Sequence, residues 1–238
     1  RGMSSDRPVI AVIGGTGPQG SGLALRWAAA GYTVIVGSRS RERAVATANE
    51  LSALLPGSEI TGLDNEAAAT AANVVVLTVP WSSHRATLEA LAPHLTAKIL
   101  VDVTVPLVPP KVSEVHLPPE GAAALAARSL VGETVAVVSA FQNVSAQHLK
   151  ELGHPIDCDV LVTGDDVAAK ATVLRLARDA RCRAFDAGCL APAVAPESLA
   201  DVLLALHRAI SAPGPGRRPP PTPAPTPGVS PSTAPPRP

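Results

Sequence analysis

Aromatic side chains are scarce. Two tryptophans, one tyrosine and two phenylalanines serve 238 residues, so alanine, valine and leucine must fill the core. Net charge is absent as well. Twenty lysines and arginines balance 20 aspartates and glutamates, which argues against nucleic acid or an anionic membrane as the main partner. No apolar run approaches the roughly 20 residues that cross a bilayer. The opening Arg1-Gly2-Met3-Ser4-Ser5-Asp6-Arg7 has no apolar stretch of the secretory kind, and Met3 is the only methionine, so Arg1 and Gly2 read as an appended pair or an alternative start. The three cysteines, Cys158, Cys182 and Cys189, are odd in number and lack metal-ligand spacing, as expected of reduced thiols in a cytosolic protein. These absences leave a soluble cytoplasmic protein with one large domain or two small ones.

What the chain does have is alternation. Short runs rich in β-branched residues are expected as strands at Val9–Gly14, Tyr32–Gly37, Ile60–Leu63, Asn73–Pro80, Lys98–Val105 and Thr134–Phe141. Between them, Pro18–Ala30, Arg41–Leu55, Asn65–Ala72, Ser82–His94 and Glu120–Leu130 read as helices. Several strands are unbroken Val/Ile/Leu runs, which suits parallel strands buried on both faces. The class is α/β, a doubly wound Rossmann-type parallel sheet over Pro8–Asn143. A small C-terminal α/β lobe follows over Val144–Ala212, with helices at Ser145–Leu152, Asp166–Ala180 and Pro196–Ile210 and strands at Asp159–Thr163 and Ala184–Phe185 that could extend the sheet. The Pro-rich segment Pro106–Pro119 reads as a loop, and Pro213–Pro238 as a disordered tail.

The first strand runs into Gly14-Gly15-Thr16-Gly17-Pro18-Gln19-Gly20. Gly15, Gly17 and Gly20 have the G-x-G-x-x-G spacing between a strand and a helix. These glycines allow a tight turn, close approach of backbone to a pyrophosphate, and packing of the helix on the strand. The bare helix start then offers N–H groups and a positive dipole end to phosphate. Pro18 suits the first turn, where no N–H is needed.

An NAD site carries an acid at the tip of the second strand to bind the ribose 2′-hydroxyl. Here the tip reads Gly37-Ser38-Arg39-Ser40-Arg41-Glu42-Arg43. Ser38, Arg39 and Arg43 suit a 2′-phosphate, which a carboxylate would repel, so NADP is expected. The nicotinamide end is expected at the later strand ends, Leu77-Thr78-Val79-Pro80-Trp81-Ser82-Ser83-His84 and Val138-Ser139-Ala140-Phe141-Gln142-Asn143-Val144-Ser145-Ala146. Trp81 could flank a flat ring, and Gln142 and Asn143 could bind a heterocycle through their amides. His84 is expected solvated or packed in a helix's first turn, and Gly164-Asp165-Asp166 as a helix N-cap. No cluster has metal spacing, so no metal is expected. No Lys or Tyr stands as in short-chain reductases, which leaves direct hydride transfer between cofactors as the chemistry that needs least acid–base help.

Ile13-Gly14-Gly15-Thr16-Gly17, Gly37-Ser38-Arg39, Leu77-Thr78-Val79-Pro80-Trp81, Val138-Ser139-Ala140-Phe141 and Phe185-Asp186-Ala187-Gly188 lie in one order across Val9 to Leu206. In these stretches the chain resembles the NADPH-dependent reductases of the deazaflavin coenzyme F420, the F420H2:NADP oxidoreductases. The resemblance implies a homodimer that passes hydride between the deazaflavin C5 and the nicotinamide C4. It also implies that Thr16, Gly17, Pro18 and Gln19 line the pyrophosphate, that Ser38, Arg39 and Arg43 hold the 2′-phosphate, and that Val79, Ser83 and Ala146 lie along the nicotinamide. Trp81, Gln142, Asn143 and Val144 would form the F420 pocket, with Gln142 where some relatives have His. Relatives continue past the last helix into a Gly-containing segment, whereas this chain continues as Ser211-Ala212-Pro213-Gly214-Pro215. Two other functions fit the residues: an NADPH-dependent flavin or ferric-chelate reductase, and a non-catalytic NADPH sensor.

Overall fold

Strand β1 (Ile10–Ile13) is buried at every position because it lies between β2 (Val34–Ser38) and β4 (Val74–Leu77), parallel to both. Each strand faces two helical layers, and that is what an unbroken apolar run encodes. Ile10, Val12, Val34 and Val36 pack with Leu23 and Trp27 of α1 (Pro18–Ala29), Leu51 of α2 (Arg41–Leu54) and Leu176 of α7 (Val167–Asp179). Ala11, Ile13, Ile35 and Val75 point the other way, onto Ala68 of α3 (Asn65–Ala71), Leu88 of α4 (Trp81–Leu91) and Ala127 of α5 (Ala123–Val131). With β3 (Ile60–Asp64), β5 (Ile99–Asp102), β6 (Ala136–Ser139), β7 (Asp159–Gly164) and β8 (Arg183–Asp186), the sheet has eight strands in the order β3-β2-β1-β4-β5-β6-β7-β8. This computed structural model describes residues 7–108 and 115–211; the proline-rich Pro213–Pro238 and part of Pro106–Pro119 lie outside the described residues.

The α/β class and the strand positions agree with expectation, but the sheet is not wholly parallel. β7 runs antiparallel to β6 and meets it only at Val138↔Gly164 and Ser139↔Thr163. After β6 the chain turns back with only the one-turn helix α6 (Ala146–Leu149), and an antiparallel neighbour needs no longer crossover. α7 then carries the chain to β8, parallel to β7. The C-terminal elements have no separate core. One apolar cluster runs from Ile10 to Cys182, the Trp27 indole donates to the Leu176 carbonyl (2.9 Å), and the Tyr32 hydroxyl donates to Asp179 Oδ2 (2.6 Å).

Three helix boundaries differ from expectation. α5 begins at Ala123, not Glu120, because Gly121 has φ +93° and Ala122 is extended. α6 stops at Leu149, and the buried Arg26 guanidinium takes the His148, Leu149 and Glu151 carbonyls around its end. The last helix, α8 (Val194–Ser211), is extended forward over Pro196, which its first turn tolerates.

The start of α5 has no side-chain cap of its own. Glu197 of α8 supplies one from 74 residues away: its Oε2 accepts from Ala123 N (2.6 Å) and its Oε1 from Ala124 N (3.2 Å). Burial pushes this carboxyl up to about 8, helped by the charges of Asp102 and Asp201, while the two amide donors pull it down. The folded chain therefore holds a proton that the unfolded chain, with its ordinary value of 4.5, releases. Stability from this group is full below about pH 4.5 and is lost as pH rises to about 8. Urea midpoints are expected to fall across that window, and Glu197→Gln to flatten the fall. A slope unchanged in the variant would show that Glu197 titrates normally.

Candidate active-site cleft

The carboxyl ends of β1, β2, β4 and β5 meet where the chain reverses its course across the sheet, with β2 on one side of β1 and β4 on the other. Ligands of open α/β sheets bind at such a point. A cleft of about 960 Å³ opens there. A depression of similar size, about 970 Å³, lies at the other ends of β5 and β6, along Lys98, Thr134 and Asp166; the helix cap Asp165-Asp166 borders it, and none of the coenzyme-binding motifs does.

One end of the cleft is the turn from β1 to α1. Gly14 has φ +77°, a conformation that costs an L side chain energy. Gly15 N donates to the Val12 and Gly37 carbonyls (3.1 and 3.0 Å), which ties the loop to β1 and β2. At Gly20 a Cβ would lie 2.6 Å from Thr78 Oγ1 and 2.8 Å from Gly15 Cα, so only glycine lets α1 sit this close to the loop. Gly17 caps α1 with no side-chain bond, Pro18 follows, and the first turn holds no acid. The N–H groups there are free for an anion. Thr16, Gly17, Pro18 and Gln19 line the cleft; Gly15 and Gly20 form the turn beneath it.

At the tip of β2, Ser38, Arg39, Ser40 and Arg43 line the same cleft. Ser40 caps α2, its Oγ accepting from Arg43 N (3.3 Å), and so brings Arg43 back beside Arg39. Both guanidinium-bearing residues are exposed. The Ser40 hydroxyl is already donated to Glu42 Oε2 (2.7 Å), so the tip presents two cations and the Ser38 hydroxyl as its donors for a phosphate ester.

The other end is built from three strand ends. Val79 comes from the turn between β4 and α4, Trp81 and Ser83 from the first turn of α4, Val103, Thr104, Val105 and Leu107 from the segment after β5, and Gln142 from the turn after β6. Gln142 Nε2 donates to the Asp102 carbonyl (3.0 Å) and to Ser139 Oγ (2.7 Å), so the amide nitrogen is committed and its oxygen is left for a ligand. Phe141, at φ +70°, makes the turn, and its carbonyl accepts from Gln19 Nε2 (3.4 Å). Asn143, Val144 and Ala146 lie outside the cleft lining. Val144 is 5% exposed and packed in the core, Asn143 Oδ1 is buried without a partner, and Ala146 begins α6.

Against this geometry the relatives can be compared. Residues 9–106 match the family model described as NADP oxidoreductase, coenzyme F420-dependent. Every residue of the cleft lining except Leu107 and Gln142 falls inside that match. The F420-dependent NADP reductase of Methanocaldococcus jannaschii is 37% identical over 217 residues, 88% of this chain and 96% of that protein. The reductase of the same name from Methanothermobacter thermautotrophicus is 40% identical over 205 residues, 83% of this chain and 88% of that one.

The chain belongs to the F420-dependent NADP reductase family.

A crystal structure from Arthrobacter sp. FB24, assigned to the same family, superposes with a TM-score of 0.72 at 28% identity, covering 85% of this chain and 95% of that one. Set beside the family expectations, the cleft gathers Thr16, Gly17, Pro18, Gln19, Ser38, Arg39, Arg43, Val79, Trp81, Ser83 and Gln142. It also includes Asn65, Thr87, Thr104 and the apolar Val103, Val105 and Leu107, which sequence reasoning passed over. Nothing in those residue types marks them; they reach the cleft because their strands end there. His84 is packed rather than solvated, 1% exposed, and its partner is Asp102, at 0%. An acid closing the apolar run Ile99-Leu100-Val101 was the one available signal for that partner. Asp166 caps α7 through Ala169 N (2.7 Å), as its position predicts.

Proposed function

We propose that this chain transfers a hydride directly between NADP(H) and the deazaflavin coenzyme F420, with Thr16 to Gln19 and the start of α1 holding the pyrophosphate. Ser38, Arg39 and Arg43 grip the 2′-phosphate, and Val79 and Ser83 flank the nicotinamide. Trp81 and the free oxygen of Gln142 face the deazaflavin, and Val144 supports that wall from the core. The two bound coenzymes supply the redox chemistry; the chain binds, orients and excludes water. The observation that carries this reading is the continuity of the cleft: a phosphate turn, an arginine-bearing tip and a wall with Trp81 line a single space. Pro8–Asn143 carries the NADP-binding residues, and Val144–Ala212, packed on the same core, contributes the rest of the deazaflavin site and a dimer contact.

A homodimer is supported by α8, where Leu199, Val202, Leu203, Leu204 and Leu206 are between 37% and 55% exposed while Glu197 and Asp201 turn inward. Sedimentation that returned the mass of one chain would remove the dimer. No helix among the described residues is long and apolar enough to cross a membrane, and we place the protein in the cytoplasm, where its cysteines stay reduced. The test of function is to mix the protein with NADPH and F420 and follow deazaflavin absorbance. Loss of that absorbance with matching NADPH consumption is expected. Tight NADPH binding without turnover would overturn the reading and favour a sensor.

A further inference from the structure

Beneath the ring-binding end of the cleft lies a buried hydrogen-bonded pair that the proposed function does not use. His84 Nε2 and Asp102 Oδ2 are 2.7 Å apart, with the side chains 1% and 0% exposed. Asp102 has further attachments. Its Oδ1 accepts from Thr104 N (2.9 Å), and its main-chain carbonyl accepts from Gln142 Nε2 (3.0 Å) and from Ala140 N (3.2 Å). On the other side, the His84 ring lies 5.0 Å from the Trp81 ring, tilted by 37°. Among the described residues His84 Nδ1 is buried without a partner, and Asp102 is the ring's hydrogen-bonded anchor. Trp81, Thr104 and Gln142 come from three different strand ends, and each lines the cleft. One buried residue, Asp102, thus connects all three: its carboxylate holds Thr104 N and, through His84, the Trp81 ring, and its main-chain carbonyl holds Gln142.

A pair of this kind is a poor means of filling space. Two apolar side chains of the same volume would avoid the desolvation of both groups, and such replacements are often neutral or stabilising. What apolar packing cannot supply is direction, since hydrogen bonds fix the angle as well as the separation of the groups they join.

We infer that Asp102 and His84 are positioning residues for the hydride transfer, setting the Trp81 ring and the Val103–Leu107 segment at the angle the two coenzymes require without touching either. This inference rests on the function proposed above through the role of Trp81. It implies that loss of the pair alters the rate of transfer more than it alters NADPH binding, because the phosphate turn and the arginine tip lie at the opposite end of the cleft. A displacement of about 1 Å is enough to cost on the order of 100-fold in rate.

Four measurements on the full chain test this. In His84→Ala, kcat for F420 reduction is expected to fall about 10- to 100-fold while the Kd for NADPH stays within about threefold. His84→Gln, whose amide can still donate to Asp102, is expected to recover most of the rate. In the Trp81→Ala background, adding His84→Ala is expected to have little further effect, since residues acting through one another do not add. The fourth readout needs no F420. Trp81 is half-buried and Trp27 fully buried, so intrinsic fluorescence reports the Trp81 setting against a constant background. A red shift with lower anisotropy is expected in His84→Ala and not in His84→Gln. Should His84→Ala fail to fold, His84→Asn, whose amide is too short to reach Asp102, takes its place in every comparison. Additive losses in the double variant, or fluorescence and kcat both unchanged, would overturn the inference. Failure of the unsubstituted chain to reduce F420 would count against the function alone, because the fluorescence comparison still reports whether the pair sets Trp81.

Discussion

Replacing Arg39 and Arg43 together by alanine is expected to weaken NADPH binding by about 2–4 kcal/mol, roughly 30- to 900-fold, since charge-assisted hydrogen bonds contribute about 1.5–3 kcal/mol each and neighbours need not add. The two side chains stand on either side of the Ser40 cap at the tip of β2, both exposed and both lining the cleft. Their exposure in the free chain places the expected loss below the sum of two fully buried contacts, because water screens what it can reach. NADH, which lacks the 2′-phosphate, should bind the variant almost as it binds the original chain. Calorimetry with both nucleotides separates the cases. Equal losses for NADPH and NADH would show that the arginines serve the pyrophosphate or the fold, and would refute the assignment of a 2′-phosphate site to Ser38, Arg39 and Arg43.

The largest effect on stability is expected at a residue far from the cleft. Arg26 is 3% exposed, and its guanidinium donates to the carbonyls of Leu149 (2.7 Å), His148 (2.9 Å), Glu151 (2.8 Å) and His154 (3.0 Å). Those carbonyls belong to the end of α6 and the turn after it, where the helix leaves its acceptors unsatisfied. Gly22, one turn earlier on α1, lets Leu149 lie directly against the helix; a Cβ there would meet Leu149 Cβ at 2.4 Å. Arg26→Ala would remove four hydrogen bonds at once, leaving the Leu149 and His154 carbonyls without a donor while His148 and Glu151 keep the amides of Glu151 and His154, and is expected to cost about 3–5 kcal/mol, since each buried acceptor left unsatisfied costs about 1–3 kcal/mol. That is a large share of the roughly 5–15 kcal/mol that holds a domain together. Arg26→Lys should recover only part of it, because an ammonium cannot fork toward four carbonyls. Chemical denaturation checks both, and a loss below about 1 kcal/mol in the alanine variant would show that water replaces the guanidinium.

Most of the layered sheet was legible because its signal is local. Val9-Ile10-Ala11-Val12-Ile13 can hardly be other than a strand buried on two faces, and the glycines that follow fix where the helix starts. Strand direction is not local. β7 has the same kind of sequence as its neighbours, and only the brevity of α6 makes it enter from the opposite end. The same limit applies within the site. Residues joined to the phosphate turn by short spacing could be placed, as could the tip of β2. Val144 could not: one residue beyond Asn143, it turns into the core, following the left-handed Phe141. His84 and Asp102 are 18 residues apart, on α4 and β5, and Glu197 caps a helix 74 residues before it. Apart from the acid that closes the Ile99-Leu100-Val101 run, neither pairing leaves a trace in residue type, because each exists only after the layers have assembled.

The indole of Trp27 belongs to the helix that begins at the phosphate turn, yet its N–H is satisfied by Leu176, and its ring meets Phe141 edge-on at 5.7 Å. A shortened chain ending at Asn143 would therefore not be a smaller autonomous nucleotide binder. It would keep every arginine and glycine of the cofactor site while exposing an indole, a valine-lined face and an orphaned donor to water. Such a fragment should be recovered as aggregate, and the minimal NADP-binding unit of this protein extends at least through α7.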